Sequence, residues 1–124
     1  MVPYFLIKIL NPMGKSKFEV FKSDKNNEFY FRLKAGNGEI ILRSEGYTAK
    51  QNCLNGIASV KSNVTDDSNC DRKDGEDKYS FNIQAKNNQV IGSSQSYTTR
   101  QARENGIKSV VAEAPNAPIE DLTD

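Results

Sequence analysis

Apolar and polar residues alternate strictly along residues 29–34. Phe29, Phe31 and Leu33 would point to one side of an extended segment, and the residues between them would point to the other. Aromatic and branched residues with a period of two are typical of a strand that is buried on one face. The pattern therefore predicts a half-buried strand. Its polar face would carry Tyr30, Arg32 and Lys34.

Two further strands are predicted beside this one, at residues 18–22 and 39–43. Both contain runs of aromatic or branched residues, which favour extended structure. Asn37-Gly38 lies between the second and third strands, and this pair favours a type I′ hairpin turn because both residues tolerate positive φ. The three strands should therefore form an antiparallel meander.

A helix is predicted after the meander. Thr48 and Gln51 have the spacing of a capping box, in which each side chain bonds to a free amide of the first turn. Asn55-Gly56 is expected to end the helix after roughly two turns, because Gly is preferred just beyond a helix C-terminus. Residues 57–61 would then form a fourth strand.

The whole pattern occurs a second time, 50 residues later. Residues 29–60 and 79–110 are identical at 13 of 32 positions without a gap. A period of about 50 residues is typical of repeat proteins. The sequence therefore predicts a β-β-β-α-β unit twice, with the last strand at 107–111. The first strand of the second unit, near 69–72, is polar and is predicted only by analogy.

Either unit alone would leave an apolar face and a sheet edge exposed. We therefore expect an α+β fold in which both units share one antiparallel-rich sheet, with two short helices on one face. The domain is predicted at residues 13–113, with repeats at 17–62 and 68–112. Residues 1–12 are interpreted as a weakly ordered N-terminal extension, or alternatively as an extra strand. Residues 114–124, which are acidic and contain proline, are expected to be a disordered tail.

Three motifs together are similar to those of a known family: Phe-x-Phe-x-Leu-x-Ala-x-Asn-Gly at 29–38, Tyr-Thr at 47–48, and Asn-Gly-Ile-x-Ser-Val at 55–60. The chain resembles the YegP-like family of small bacterial proteins over residues 17–113. The resemblance implies that the two units exchange their C-terminal strands, which would be 57–61 and 107–111 here. It supplies no function and no site. Asn88, in place of the turn glycine, departs from the pattern.

The sequence contains no histidine. This removes the commonest general base near neutral pH and the commonest nitrogen ligand of zinc. Ser-His-Asp and Cys-His catalysis within the chain are excluded. We therefore expect that the protein is not an enzyme and that it binds no cofactor and no metal. The acidic residues in and after the linker lack EF-hand spacing and are interpreted as solvated loop residues: Asp66, Asp67, Asp71 and Asp74.

Cys53 and Cys70 stand at non-equivalent positions of the two repeats. They are interpreted as free thiols in a reducing cytoplasm, although a disulfide stays open because the sequence does not give the distance between them. Cys53 comes late in the predicted helix, where the helix dipole disfavours a thiolate. The N-terminal apolar stretch is too short to cross a membrane. We therefore expect a cytoplasmic protein without a membrane partner.

The outer face of the sheet, away from the helices, is the favoured binding surface. A net charge of +1 argues against strong non-specific binding of nucleic acid. The leading hypothesis is a non-enzymatic monomer that binds another macromolecule, foremost a protein, through this face or the groove between the helices. The alternative is weak binding of single-stranded nucleic acid by a basic, aromatic sheet face. The candidate surface residues are Tyr30, Arg32, Lys34, Tyr47, Tyr97, Lys50, Arg100 and Arg103.

Overall fold

A computed structural model describes residues 15–123 of the protein. The N-terminal extension predicted at residues 1–12 lies outside the described residues. In chain order the elements are β1 (Lys17–Lys22), β2 (Phe29–Lys34), β3 (Ile40–Arg43), α1 (Lys50–Asn63), β4 (Cys70–Gly75), β5 (Lys78–Gln84), β6 (Val90–Ser93), α2 (Arg100–Glu113) and β7 (Ile119–Asp121). Single turns of 3-10 helix at Asp67–Asn69 and Ala114–Asn116 follow the two helices.

The strands form one seven-stranded mixed sheet in the order β4-β5-β6-β3-β2-β1-β7. Two antiparallel meanders, one from each repeat, meet where Arg43 of β3 pairs with Ser93 of β6. β7 runs parallel to β1 at the outer edge. The predicted α+β fold with both repeats in one sheet is confirmed, as is the first strand of the second repeat. The repeat boundaries at 17–62 and 68–112 stay a prediction.

One hydrophobic core lies between the sheet and the two helices. Phe31 and Leu33 of β2 are buried in it, and so are Phe81 and Ile83 at the corresponding positions of β5. The alternation read from residues 29–34 is therefore confirmed. Full burial of such a side chain contributes about 1.5–3 kcal/mol relative to leaving it exposed.

The helices are longer than the sequence predicted. Each has 14 residues, and each continues through the Asn-Gly pair that was expected to end it. The strands predicted at 57–61 and 107–111 are therefore wrong, since these residues form the second halves of α1 and α2. The cause is the helical spacing of the buried residues Cys53, Ile57 and Val60, which keeps one side of α1 against the sheet. Neither helix is long and apolar enough to span a lipid bilayer.

Gly56 provides close packing inside α1 instead of ending the helix. The ring of Tyr47 lies against it, and a Cβ built at Gly56 would be 2.6 Å from the Tyr47 Oη. Gly106 and Tyr97 make the same close approach in α2. A glycine inside a helix costs about 1 kcal/mol relative to alanine. The tyrosine beneath it explains why both repeats nevertheless have glycine here.

Both helices begin one residue later than predicted. Ala49 is the N-cap of α1 and provides no side-chain cap, whereas the Thr99 Oγ1 of α2 accepts a bond of 3.0 Å from the Ala102 amide. The predicted capping boxes are therefore wrong. The glutamine of the first box, Gln51, instead donates to the Asn55 side chain one turn further on.

The turn between β2 and β3 is also different from the prediction. Gly38 has a φ of +87°, but Asn37 does not have a positive φ, so the turn is not type I′. The Gly38 amide donates to the Ala35 carbonyl, and the Ala35 amide donates to the Glu39 carbonyl. This is a type I turn followed by a bulge. Asn88, at φ 69°, occupies the Gly38 position in the second repeat.

Residues 114–123 contain a turn of 3-10 helix and strand β7, so the disordered tail predicted for 114–124 is wrong over its described part. Ala117 is buried, and the Phe18 amide donates to the Pro118 carbonyl at 2.8 Å. β7 follows the helix of the second repeat and pairs with the first strand of the first repeat. Within residues 15–123, this is the one C-terminal strand that crosses between the repeats, and it lies downstream of the position that the resemblance implied.

Candidate binding surface on the outer sheet face

Side chains from the first three strands gather on the outer face of the first repeat, opposite the helices. The antiparallel register places Arg32 of β2 directly opposite Glu19 on β1 and opposite Arg43 on β3. Tyr30, Arg32 and Lys34 lie here, as the sequence predicted. We call the set the basic–aromatic patch, which consists of Lys17, Glu19, Phe21, Tyr30, Arg32, Lys34 and Arg43.

One carboxylate, that of Glu19, is buried beneath the cations of the patch, with 6% of its side chain exposed. Its Oε1 accepts a bond of 2.7 Å from the Arg32 Nε and lies 3.6 Å from the Lys34 Nζ. The Lys17 Nζ lies 3.5 Å from its Oε2. Burial alone would raise the pKa of Glu19, but the Arg32 bond and the two lysines outweigh it and lower the pKa. The charged carboxylate therefore draws these cations together.

Aromatic rings adjoin this cluster and fix the position of Arg32. The rings of Phe21 and Tyr30 are stacked, with centroids 5.7 Å apart and planes 19° apart. The guanidinium carbon of Arg32 lies over the Phe21 ring at 4.3 Å from its centroid, a cation–π contact. The Asn26 Nδ2 donates to the Tyr30 Oη at 2.8 Å. Arg32 is thus held between Glu19 and Phe21 before any partner binds.

Arg43 is the exposed member of the patch, and none of the ion pairs among residues 15–123 includes it. Arg32 and Arg43 border a shallow depression of about 320 Å³. The residues that line it include arginine, aromatic, aliphatic and hydroxyl types, and they are Phe21, Ser23, Tyr30, Phe31, Arg32, Ile40, Arg43 and Ser44.

The other five candidate residues do not lie on this face. Tyr47 and Tyr97 are partly buried under the helices, and each forms an isolated bridge to the start of a strand, at Phe29 and Tyr79. Burial, followed by the nearby Glu45 carboxylate, raises the pKa of Tyr47. Both tyrosines therefore support the helices and are not brought together with the patch.

The three helix cations among the candidates are already paired. The Lys50 Nζ lies 2.8 Å from an Asp121 carboxylate oxygen of β7. Arg100 and Arg103 of α2 both bind Asp74 of β4, and Arg103 is almost fully buried. Hydrogen bonding from Arg103, and then from Arg100, lowers the pKa of Asp74 despite some burial. All three cations therefore form ion pairs within the fold.

Of the acidic residues in and after the linker, Asp66 and Asp67 are exposed, as interpreted, whereas Asp71 and Asp74 lie in strand β4, so their interpretation as loop residues is wrong. Asp67 pairs with Arg72 at 3.1 Å, and Asp71 pairs with Lys73 at 3.0 Å. Asp66 caps the 3-10 turn through the Ser68 amide. Among residues 15–123, no group of three or more His, Cys, Asp or Glu residues is arranged to hold a metal ion.

Cys53 and Cys70 are free thiols, as the sequence interpretation had them. Burial raises the pKa of Cys53 to about 11, and burial also raises the pKa of Cys70. Because the thiolate is the nucleophile, neither cysteine is activated at neutral pH.

The sequence analysis missed four members of the patch: Lys17, Glu19, Phe21 and Arg43. The signal was present, because a meander puts every second residue of β1 on the same face as Tyr30 and Arg32. Glu19 lies in a strand that the sequence predicted, but only the register shows that it lies opposite Arg32.

Each repeat matches the same protein family, described as "Domain of unknown function (DUF1508)", at residues 24–71 and 74–121. These two segments cover most of the chain. The protein belongs to this family. The tandem arrangement agrees with the two copies read from the sequence.

Curated relatives match segments about the size of one repeat. A UPF0339 protein of Treponema denticola is 58% identical over 50 residues, which are 40% of this chain and 84% of that protein. The UPF0339 protein in the ptx operon 5′ region of Stutzerimonas stutzeri is 57% identical over 56 residues, 45% of this chain and 50% of the relative. The matched segment thus spans half the length of the Stutzerimonas protein.

Two solved structures are similar over the whole fold. The solution NMR structure of UPF0339 protein SO3888 from Shewanella oneidensis has a TM-score of 0.83 at 45% identity, covering 88% of this chain and 92% of that one. That of yegP from E. coli has a TM-score of 0.81 at 47% identity, covering 88% and 94%. The resemblance to the YegP-like family is confirmed. The names of these relatives state no activity, so function has to be argued from the patch.

Proposed function

We propose that this protein is a non-enzymatic binding protein that contacts an acidic segment of a partner protein through the basic–aromatic patch. One observation carries the proposal: four cations, Lys17, Arg32, Lys34 and Arg43, share an open sheet face with a single buried carboxylate, Glu19. The patch is therefore positively charged after Glu19 has neutralised one cation. Complementary charge steers association and selects the partner.

The C-terminal strand of the chain supports an acidic occupant. Glu120 of β7 pairs with Lys17 at 2.6 Å on the margin of the patch, and Asp121 pairs with Lys50 at 2.8 Å. An acidic extended segment is thus already bound along the edge of the same three-stranded unit. A partner segment of similar composition would meet the same kind of side chain across the patch.

The second repeat shows that the fold does not need these charges. Its outer face on β5 carries Ser80, Asn82 and Gln84 where the first repeat has Tyr30, Arg32 and Lys34. Both repeats form the same meander on the same core. Since packing leaves these outward positions free to vary, the concentration of cations in one repeat favours a role in binding.

Single-stranded nucleic acid is the second candidate partner, and the aromatic pair beside two arginines favours it. Two observations weigh against it. The Arg32 guanidinium lies over the Phe21 ring, where a base would stack. The helix cations that would extend a phosphate path, Lys50 and Arg100, are paired with carboxylates. We therefore favour the protein partner.

The proposal also states whether the protein is an enzyme, its oligomeric state and its cellular compartment. The sequence has no histidine, and the thiols of Cys53 and Cys70 are protonated at neutral pH, which argues against general-base and thiol catalysis. We propose a monomer, because the two repeats complete one sheet within a single chain. We also propose a cytoplasmic location, because both cysteines are free.

Affinity capture with charge-reversed variants tests the proposed function. The baits would be the wild-type chain, Lys34→Glu with Arg43→Glu, and Lys86→Glu with Lys108→Glu as a charge-matched control at two exposed lysines of the second repeat. The lysate is treated with nuclease, and thermal melts confirm that each bait is folded. A protein retained by the wild type and by the control, but lost from the patch variant, is the expected result. Retention of the protein by all three baits would contradict the proposal, and so would recovery of nucleic acid alone from a parallel sample that is not treated with nuclease.

A further inference from the structure

Two arginines face each other on the outer surface of the sheet. Arg32 of β2 and Arg43 of β3 are direct partners in the antiparallel register. Like charges in directly opposite positions destabilise a sheet. Glu19 pairs with Arg32 from the far side, but no ion pair among residues 15–123 includes Arg43. The repulsion between the two guanidinium groups is therefore only partly compensated within the described chain.

Arg32 is held in a position that leaves its two terminal nitrogens available as hydrogen-bond donors to a ligand. Its Nε is bonded to Glu19, and its guanidinium plane is supported by the Phe21 ring. In the described part of the chain the two terminal nitrogens of Arg32 make no side-chain hydrogen bond. A guanidinium held in one orientation loses little freedom when it binds a planar oxyanion with two parallel bonds. Arg32 borders the same depression as Arg43.

The second repeat lacks this pair. Asn82 and Ser93 occupy the corresponding register positions on β5 and β6. The strand pairing is the same with and without the arginines, so the fold does not require them. The arginine pair destabilises the sheet and is absent from the matching repeat. A role in ligand binding explains its presence, whereas a role in folding does not.

We propose that Arg32 and Arg43 form a two-guanidinium site for one carboxylate of an acidic protein segment, with the carboxylate seated in the depression between them. This inference rests on the proposed function and names the chemistry of its contact. The Glu120 contact with Lys17 shows the same type of group bound nearby. A depression of about 320 Å³ holds an acidic side chain, whereas the Arg32 guanidinium covers a face of the Phe21 ring on which a base could stack.

Fluorescence anisotropy with a labelled hexaglutamate peptide tests the site. Arg43→Ser copies the second repeat, and Lys108→Gln removes the same charge from the helix layer. We expect Arg43→Ser to weaken binding about tenfold, as loss of one charge-assisted hydrogen bond does, and Lys108→Gln to have little effect. Equal weakening in both variants would overturn the site, because it would show a dependence on net charge alone.

Two further measurements distinguish failure of the two-arginine site from failure of the proposed function. If Lys34→Gln abolishes peptide binding while Arg43→Ser retains it, the arginine site is refuted and the patch remains the binding surface. If a labelled thymidine hexanucleotide binds more tightly than the peptide at equal ionic strength, the carboxylate assignment is refuted. Thermal melts add an independent readout. Arg43→Ser should raise the melting temperature without peptide, and a lower melting temperature would contradict a net repulsion between the Arg32 and Arg43 guanidinium groups.

Discussion

The packing of Tyr47 against α1 makes a sharp prediction for Gly56→Ala. In an open helix this substitution would stabilise the protein by about 1 kcal/mol, because alanine has the higher helix propensity. Here the new Cβ would lie 2.6 Å from the Tyr47 Oη and 3.1 Å from the Phe31 Cε2, so something has to move. Overpacking of this kind costs about 1–3 kcal/mol. We therefore expect Gly56→Ala to destabilise the protein or leave it unchanged, instead of stabilising it.

The tyrosine can be tested directly with a double-mutant cycle. In a Tyr47→Leu background the obstructing hydroxyl and ring edge are gone, and Gly56→Ala should regain its stabilising effect. The coupling between the two substitutions should be about 1–3 kcal/mol, measured by urea unfolding. Asn52→Ala, at an exposed position of the same helix, provides the control for helix propensity alone. A stabilising Gly56→Ala in the wild type, or no coupling to Tyr47, would refute the argument.

Three other predictions follow from the contacts described above. Thr99→Ala should cost about 1 kcal/mol in urea unfolding by loss of a cap, whereas Thr48→Ala should change stability by no more than about 0.5 kcal/mol; equal costs would contradict the helix starts. Because the pKa of Glu19 is lowered on folding, its ionisation stabilises the protein above its ordinary value of 4.5, and this contribution is lost as the pH falls below that value. The free energy of unfolding should therefore fall more steeply with decreasing pH in the wild type than in Glu19→Gln, so that the difference between the two proteins shrinks below pH 4.5. Identical pH slopes would show that Glu19 is not the group responsible. Deleting residues 117–124 should lower the melting temperature and increase light scattering, since it uncovers the edge of β1; an unchanged melt would mean that β7 adds no stability.

The repeat and the period-two pattern were enough to predict the sheet. Phe31 and Leu33 had to point to the core, and their equivalents Phe81 and Ile83 had to do the same. The error at the helices came from Gly56, which local rules read as a helix end. The opposing signal was the spacing of Cys53, Ile57 and Val60, which fits one buried side of a helix, but only the position of Tyr47 explains the glycine.

The sequence predicted only part of the candidate surface, because contacts between distant parts of the chain again decide the rest. Alternation placed Tyr30, Arg32 and Lys34 on the outer face without any knowledge of the neighbouring strands. Lys50 and Arg103 looked equally available in the sequence, yet both are paired with carboxylates from distant strands. Such pairing depends on register and on the path of β7, which the composition of an acidic, proline-containing tail does not reveal.

The most direct test of the central claim is an NMR titration of the ¹⁵N-labelled protein with the unlabelled hexaglutamate peptide. If the basic–aromatic patch is the binding surface, amide and arginine side-chain signals of β1, β2 and β3 will shift, and those of Arg32 and Arg43 will shift most. Outer positions of the second repeat that do not adjoin Arg43, such as Ser80 on β5, will stay unchanged and provide an internal control. Shifts that spread equally over both repeats, or that centre on the helices, would contradict the account.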